Sequence, residues 1–242
     1  MPKPKKKNIK VAPVFHIFCE GEKTEPLYIN GYINHYHSDK RNIIVVEDTK
    51  KNTPVQLVEV AIEHKSKNPD EDVYWVVFDR ESVAKYPHDL HLQAQSKAKS
   101  NGIEIAISNV CFEFWLLLHL KYTTASYSNY DDLIKNSDLK TLLTTKGLKR
   151  EYDKADIYIF DTLKDDIAEA IKNAEKVNNS AFNTASAGNN SPCFLNPYTD
   201  IHELFIDMKN FIDKKKSIRE LTSAERKEKI KEIIIFLSSP SE

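Results

Sequence analysis

Glycine is scarce in this chain, with five in 242 residues, so a glycine beside a polar motif carries weight. Cysteine is scarcer still. Cys19, Cys111 and Cys193 lie far apart and form no CxxC pair, which argues against a disulfide framework or a zinc ribbon and fits a reducing cytosol. No run of 18 apolar residues exists, so no segment is expected to span a membrane. The start, Met1 to Lys10, is basic with no apolar run behind it, and no signal peptide is expected there. A dominant charge is missing too. At a net charge of −1 the whole chain is not steered toward nucleic acid or an anionic membrane, so such binding has to come from a local patch. There is no phosphate loop of the GxxxxGK type and no internal repeat.

What is present is a globular composition, 40% hydrophobic with 11 Phe and 11 Tyr, which separates the chain from disordered ones. The length suits one large domain, or a domain plus a helical extension. Beyond a basic tail over 1–10, Val11 to Cys19 reads as a buried strand ended by Glu20-Gly21-Glu22-Lys23. Thr24-Glu25-Pro26 resembles a helix start with Thr24 as N-cap, and Leu27, Ile29, Tyr32 and Ile33 suit the helix that follows. Ile43 to Val46 is a short β-branched strand. Thr53-Pro54 opens a second helix, in which Leu57, Val60, Ala61 and His64 recur at helical spacing. Val73 to Phe78 is a strongly apolar strand stopped by Asp79-Arg80-Glu81. Leu90 to Ser100 reads as helix, Ile103 to Ile107 as a fourth strand, and Phe112 to Leu120 as a very apolar helix. This alternation predicts an α/β fold over 11–125: a mainly parallel sheet with helices on both faces.

The region 126–242 reads as helical and is expected to pack on that core. Tyr130 to Leu143, Tyr152 to Val177, Asp200 to Asp213 and Ser223 to Leu237 are the predicted helices, the longest carrying a stripe of Ile167, Ala170, Ile171, Ala174 and Val177. The segment near 178–191, rich in Asn, Ser and Ala, is expected to be a mobile loop.

In a parallel sheet, chemistry gathers at the carboxyl ends of the strands. Two such ends carry acids here: Glu20, with Glu22 and Glu25 behind it, and Asp79 with Glu81. A like-charge pair at 4 Å repels by about 4 kcal/mol at an effective dielectric of 20, which a divalent cation or a bound proton has to offset. Oxygen ligands without His or Cys select Mg²⁺ or Mn²⁺ over zinc. The plainer reading is that Asp79 and Glu81 end a strand and cap a helix, and that Glu22 and Glu25 form a solvated helix start. Gly21, directly after a strand, points to φ > 0 or to close backbone approach.

The segment Phe18-Cys19-Glu20-Gly21-Glu22-Lys23-Thr24-Glu25-Pro26, with Tyr28, closely resembles the opening motif of RloB-like proteins. Val77 to Glu81 resembles that family's second motif, and Ser108 to His119 its third. Asn196-Pro197-Tyr198-Thr199 with the helix after it resembles its C-terminal signature. The resemblance runs in order from about Val14 to Met208. It implies a Toprim-like domain, in which Glu20 takes the general acid/base position and Asp79 and Glu81 the metal positions. Glu20 and Glu113 join the expected metal cluster. Glu81 stands where the superfamily uses Asp, a departure that moves the ligand oxygens by one methylene. The resemblance further implies a Mg²⁺- or Mn²⁺-dependent nuclease acting on DNA or RNA, serving as a cytoplasmic effector of bacterial antiphage defence beside a separate AAA- or ABC-type ATPase. The alternative is a non-catalytic subunit that binds metal, nucleic acid or that ATPase. Primase-like nucleotidyl transfer ranks third. A homo-oligomer is left open.

Other residues stay two-sided. Lys23 and Arg80 stand to meet phosphate oxygens, or to balance the acids. Glu113 lies in a helix's first turn, where an acid suits the helix dipole, or it faces the site from the fourth strand's end. His119 and Trp115 read as core, and the HxxH of His88 and His91 as a weak metal signal. Lys3, Lys5, Lys6, Lys7 and the Lys214-Lys215-Lys216 run are candidate nucleic-acid contacts, or solvated faces. Ile230, Ile233, Ile234 and Leu237 form a stripe that buries against its own domain or a partner.

Overall fold

Short, nearly uninterrupted apolar runs give four strands: β1 (Phe15–Cys19), β2 (Ile44–Glu47), β3 (Val73–Asp79) and β4 (Glu104–Asn109). Residues 12–50, 53–68 and 71–239 are described in this computed structural model, and the basic tail expected over 1–10 lies outside them. A two-residue β5 (Tyr198–Thr199) completes a sheet of order β2-β1-β3-β4-β5. The first four strands are parallel and β5 is antiparallel to β4, so the predicted mainly parallel sheet is present.

Strands buried on both faces need helices on both. Phe15, Ile17, Cys19, Trp75, Val77 and Ala106 pack with α1 (Thr24–Tyr36), α4 (Phe112–Leu120) and the C-terminal helices. Phe18, Tyr74, Val76, Phe78 and Ile107 pack with α2 (Pro54–Lys65) and α3 (His88–Ser100). The predicted start of α2 holds: Pro54 is its first residue and Thr53 accepts from Gln56 N at 3.4 Å. α4 is apolar all round and buried from Phe112 to His119, as a helix enclosed by others must be. Cys19 sits opposite Val77 and Asp79 opposite Ser108, which brings the carboxyl ends of β1, β3 and β4 level.

The second half is helical with different breaks. Two helices, α5 (Tyr130–Asn136) and α6 (Leu139–Lys146), replace the predicted single one. Ser137 turns the chain between them, its Oγ accepting from Leu139 N at 3.3 Å. The predicted helix from Tyr152 begins instead at α7 (Ile159–Leu163) and continues as α8 (Ile167–Thr184). Residues 152–158 are held out of helix by side chains that bond their backbone: Asp156 Oδ1 accepts from Tyr158 N at 2.9 Å, and Thr24 Oγ1 donates to Lys154 O at 2.7 Å. α8 carries the predicted stripe, fully buried, and runs on to Thr184 through the first residues of the expected loop. Asn178 explains the extension. Its amide donates to Thr199 O and accepts from Thr199 N, partnering β5 as a strand would. α9 (Ile201–Ile212) and α10 (Ser223–Ser238) follow. The α10 stripe buries against its own domain: Ile230, Ile233 and Leu237 join the main core and Ile234 packs on it.

Candidate active site

Glu20 is the first residue past β1. Its N–H donates to Val77 O at 2.9 Å, extending the ladder one step beyond the strand. Its Oε2 accepts from Asp79 N at 3.2 Å, so the two strand-end acids are joined directly. Asp79 closes β3, and its Oδ1 accepts from Phe112 N at 2.8 Å at the positive end of α4. Glu81, held by its N–H on Val110 O, stands at φ 57, where non-glycine residues are uncommon. Glu20, Glu25, Asp79 and Glu81 line one open cleft of about 350 Å³, with Glu22, Lys23, Lys85, Tyr86 and Lys154 around it.

Three parts of this site were not read from the sequence. Glu25, read as a solvated helix start, is buried. Its carboxylate lies where a Cβ on residue 21 would be, which settles Gly21: close approach requires it. Lys154 comes from the loop before α7, fixed by the Thr24 hydroxyl, whose expected N-cap role is therefore absent. Tyr152 donates to Glu113 Oε1 at 2.9 Å, while Glu113 Oε2 is buried without a hydrogen-bond partner. For Lys154 and Tyr152 no local signal existed.

The electrostatics are those of carboxylates short of positive charge. Burial raises the Glu20 carboxyl from 4.5 to about 7, opposed by the Asp79 N–H and the Lys85 ammonium. Burial also raises Glu25 to about 6, with Glu113 adding to it. Asp79 is pushed well above its usual range by burial, then by Glu25, Glu113 and Glu20. Burial works against the charge of Lys154, but Glu113 and Asp79 outweigh it and hold the ammonium protonated. Five carboxylates line the cleft against three lysines, and no His or Cys does so among the described residues. An oxygen-only lining, with carboxyls held toward their neutral form, suits a hard divalent cation such as Mg²⁺ or Mn²⁺ by donor type, although Glu113 is not part of that lining.

Several expected residues lie elsewhere. Arg80 is 1% exposed, and its guanidinium donates to Cys193 O at 2.8 Å and Tyr86 O at 2.9 Å. It meets neither phosphate nor the acids in this position, because a residue beside Asp79 points to the opposite face of the sheet. His88 and His91 each bond Arg80, one through the guanidinium and the other through the carbonyl. His119 is core, donating from Nδ1 to Trp115 O and accepting from Tyr28 OH at 2.6 Å; burial lowers it to about 3. Trp115 is buried. Lys215 pairs with Asp213 and Glu232, and none of Lys214 to Lys216 lines the cleft. Lys3, Lys5, Lys6 and Lys7 lie outside the described residues. The three cysteines are buried free thiols, and no helix is long and apolar enough to cross a membrane among the described residues.

A mainly parallel α/β sheet in which the carboxylate after β1 accepts from the backbone N–H of the acid that ends β3 defines the class: an α/β domain with an acidic, oxygen-donor cleft at the strand ends. The family model described as RloB-like protein matches residues 15–208, and the chain belongs to that family. No curated protein and no solved structure matches it.

Proposed function

We propose that this protein is a Toprim-type nuclease, dependent on Mg²⁺ or Mn²⁺, that cleaves phosphodiester bonds of DNA or RNA. The reading extends to a cytoplasmic effector of antiphage defence working beside an ATPase. The sequence carries no phosphate loop of its own, so ATP hydrolysis falls to a separate protein. The observation that supports the reading is the bond from Asp79 N to Glu20 Oε2, which ties Glu20 to the end of β3 with both acids lining one cleft.

Asp79, Glu81 and the free oxygen of Glu113 are the residues to hold the cation, with Glu25 beside them. When bound, the cation polarises a phosphate oxygen and stabilises the leaving oxygen. The chain supplies the rest. The Glu20 carboxyl, held by Asp79 N and hydrogen-bonded by the Tyr86 hydroxyl, is the group placed to take or give a proton. A carboxyl near 7 suits both duties at neutral pH. Lys23, exposed at the rim, and Lys85 face the cleft and can meet phosphate oxygens.

One observation favours the non-catalytic reading. Lys85 Nζ lies 2.6 Å from Glu81 Oε1, so an internal cation already occupies one metal ligand. The test is a paired assay of wild type and Glu20→Gln on supercoiled plasmid and on total tRNA, in Mg²⁺ and in Mn²⁺, with and without a candidate ATPase partner. Metal-dependent cleavage that disappears in Glu20→Gln supports the nuclease. Equal cleavage by both proteins refutes it, and nucleic-acid or ATPase binding without cleavage supports the second reading.

A further inference from the structure

A second cluster of metal-ligand side chains lies outside the acidic cleft. His16 comes from β1, Glu47 from the end of β2 and His64 from the last turn of α2. One ligand atom from each lies within 4.8 Å of the other two. His16 Nδ1 is 2.7 Å from Glu47 Oε1, and His64 Nε2 is 3.9 Å from the same oxygen. Around a tetrahedral zinc ion with bonds of about 2.0–2.1 Å, donor atoms sit about 3.4 Å apart. The two distances fall on either side of that value, so shifts of about 0.5–0.7 Å would bring both to it.

The surroundings match those of a ligating histidine. A metal-bound imidazole hands its other N–H to a carboxylate, which fixes the ring and its tautomer. His16 Nε2 lies 3.3 Å from Asp72 Oδ2. Asp72 is itself anchored, accepting from Val14 N at 2.8 Å and from Tyr74 OH at 3.5 Å. The Tyr74 ring stacks on His16 at 4.9 Å and 17°. A proton on Nε2 leaves the Nδ1 lone pair facing Glu47, as a ligand atom requires. Without an ion, His64 Nε2 lies 3.9 Å from the Glu47 oxygen, beyond hydrogen-bond reach. Asn68 Nδ2 donates to His64 O at 2.7 Å and lies 3.1 Å from His64 Nδ1, a contact that has to rearrange when Nε2 ligates and Nδ1 carries the proton.

We propose that His16, Glu47 and His64 bind a transition-metal ion of the zinc class, with Asp72 as the outer carboxylate and water as the fourth ligand. Two imidazoles and one carboxylate select zinc over the Mg²⁺ suited to the acidic cleft. None of the three ligands lines that cleft. The ion would clip β2, which among the described residues is an edge strand paired only with β1, and helix α2 onto β1. Asp48, Thr49 and Lys50, directly after Glu47, share a groove with Gly21 and Glu22 at the cleft's rim. Zinc would therefore stiffen that wall.

The test uses tag-free full chain stripped with chelator, titrated with Co²⁺ for its visible ligand-field bands and with Zn²⁺ against a chromophoric competitor. Expected are one equivalent of zinc, tetrahedral Co²⁺ bands, and a rise in melting temperature that Mg²⁺ does not reproduce. His64→Ala, on a half-exposed helix face, is expected to weaken zinc by about 100-fold or more, and Asp72→Asn by about 10–100-fold. Glu20→Gln is expected to bind zinc as wild type does, so the outcome is independent of the nuclease reading. Circular dichroism of the apo variants separates lost ligation from lost folding. No stoichiometric zinc in the wild type, or unchanged affinity in a folded His64→Ala, overturns the proposal.

Discussion

Replacing Glu20 by Gln is expected to stabilise the metal-free protein at neutral and alkaline pH. Burial holds the Glu20 carboxyl at about 7 in the folded chain, against 4.5 ordinarily. Between those values the folded state keeps a proton that the unfolded chain has released. Stability therefore falls as pH rises through this window, and the loss is complete above 7. At about 1.4 kcal/mol per pKa unit the loss comes to about 3.5 kcal/mol, and partial solvent access to Glu20 brings the working figure to about 2 kcal/mol. Gln keeps an acceptor for Asp79 N and cannot ionise. Urea unfolding in EDTA is expected to give matching stabilities at pH 5, within about 0.5 kcal/mol, and a variant more stable by about 2 kcal/mol at pH 8. Adding Mg²⁺ at pH 8 is expected to narrow that gap by stabilising the wild type. A Glu20→Gln protein less stable than wild type at pH 8, or a gap independent of pH, refutes the account.

Three further outcomes follow from the same site. Glu81→Asp creates the Asp-x-Asp pattern that the proposed Toprim-type reading expects and places at φ 57 a residue that tolerates it better; under that reading it is expected to retain metal-dependent cleavage and gain up to about 1 kcal/mol in urea unfolding, and loss of cleavage would identify Glu81 as the fitted ligand. Arg80→Lys leaves the buried Cys193 and Tyr86 carbonyls short of donors, so it is expected to destabilise by about 2–4 kcal/mol without changing the salt dependence of nucleic-acid binding, whereas Lys23→Ala is expected to lower that salt slope by about 1. Mg²⁺ affinity, measured by calorimetry, is expected to climb from pH 5.5 to 7.5 as Glu25 near 6 and Glu20 near 7 release protons, and a flat profile would place the ion elsewhere.

Glu20, Asp79 and Glu81 were legible because each stands at the end of an apolar strand, where the chain itself announces the sheet's edge. Arg80 was misplaced although the signal was present: strand alternation turns it from the side that Asp79 faces. Glu25 was harder. An acid in a helix's first turn is ordinarily solvated, and only its close packing over Gly21 buries it. Lys154 reaches the cleft, and Tyr152 reaches Glu113, from a segment whose apolar spacing suggested helix, and nothing local marks a loop held by a distant threonine. β5 is two residues long, too short for any period, and its partner Asn178 sits in what composition alone made a loop.

The helical second half is part of the site's physics. Asp79 depends on the N-terminus of α4, and α4 is buried on every side. A helix with no polar face cannot end a domain in water. α8 covers it, and Asn173 donates to Leu118 O at 2.9 Å as it does so. The same half sends Tyr152 to Glu113 and Lys154 to the carboxylates that burial would otherwise force neutral. The parallel sheet sets the acids side by side, while the helices beyond it keep them buried, partly paired and poised between proton and cation.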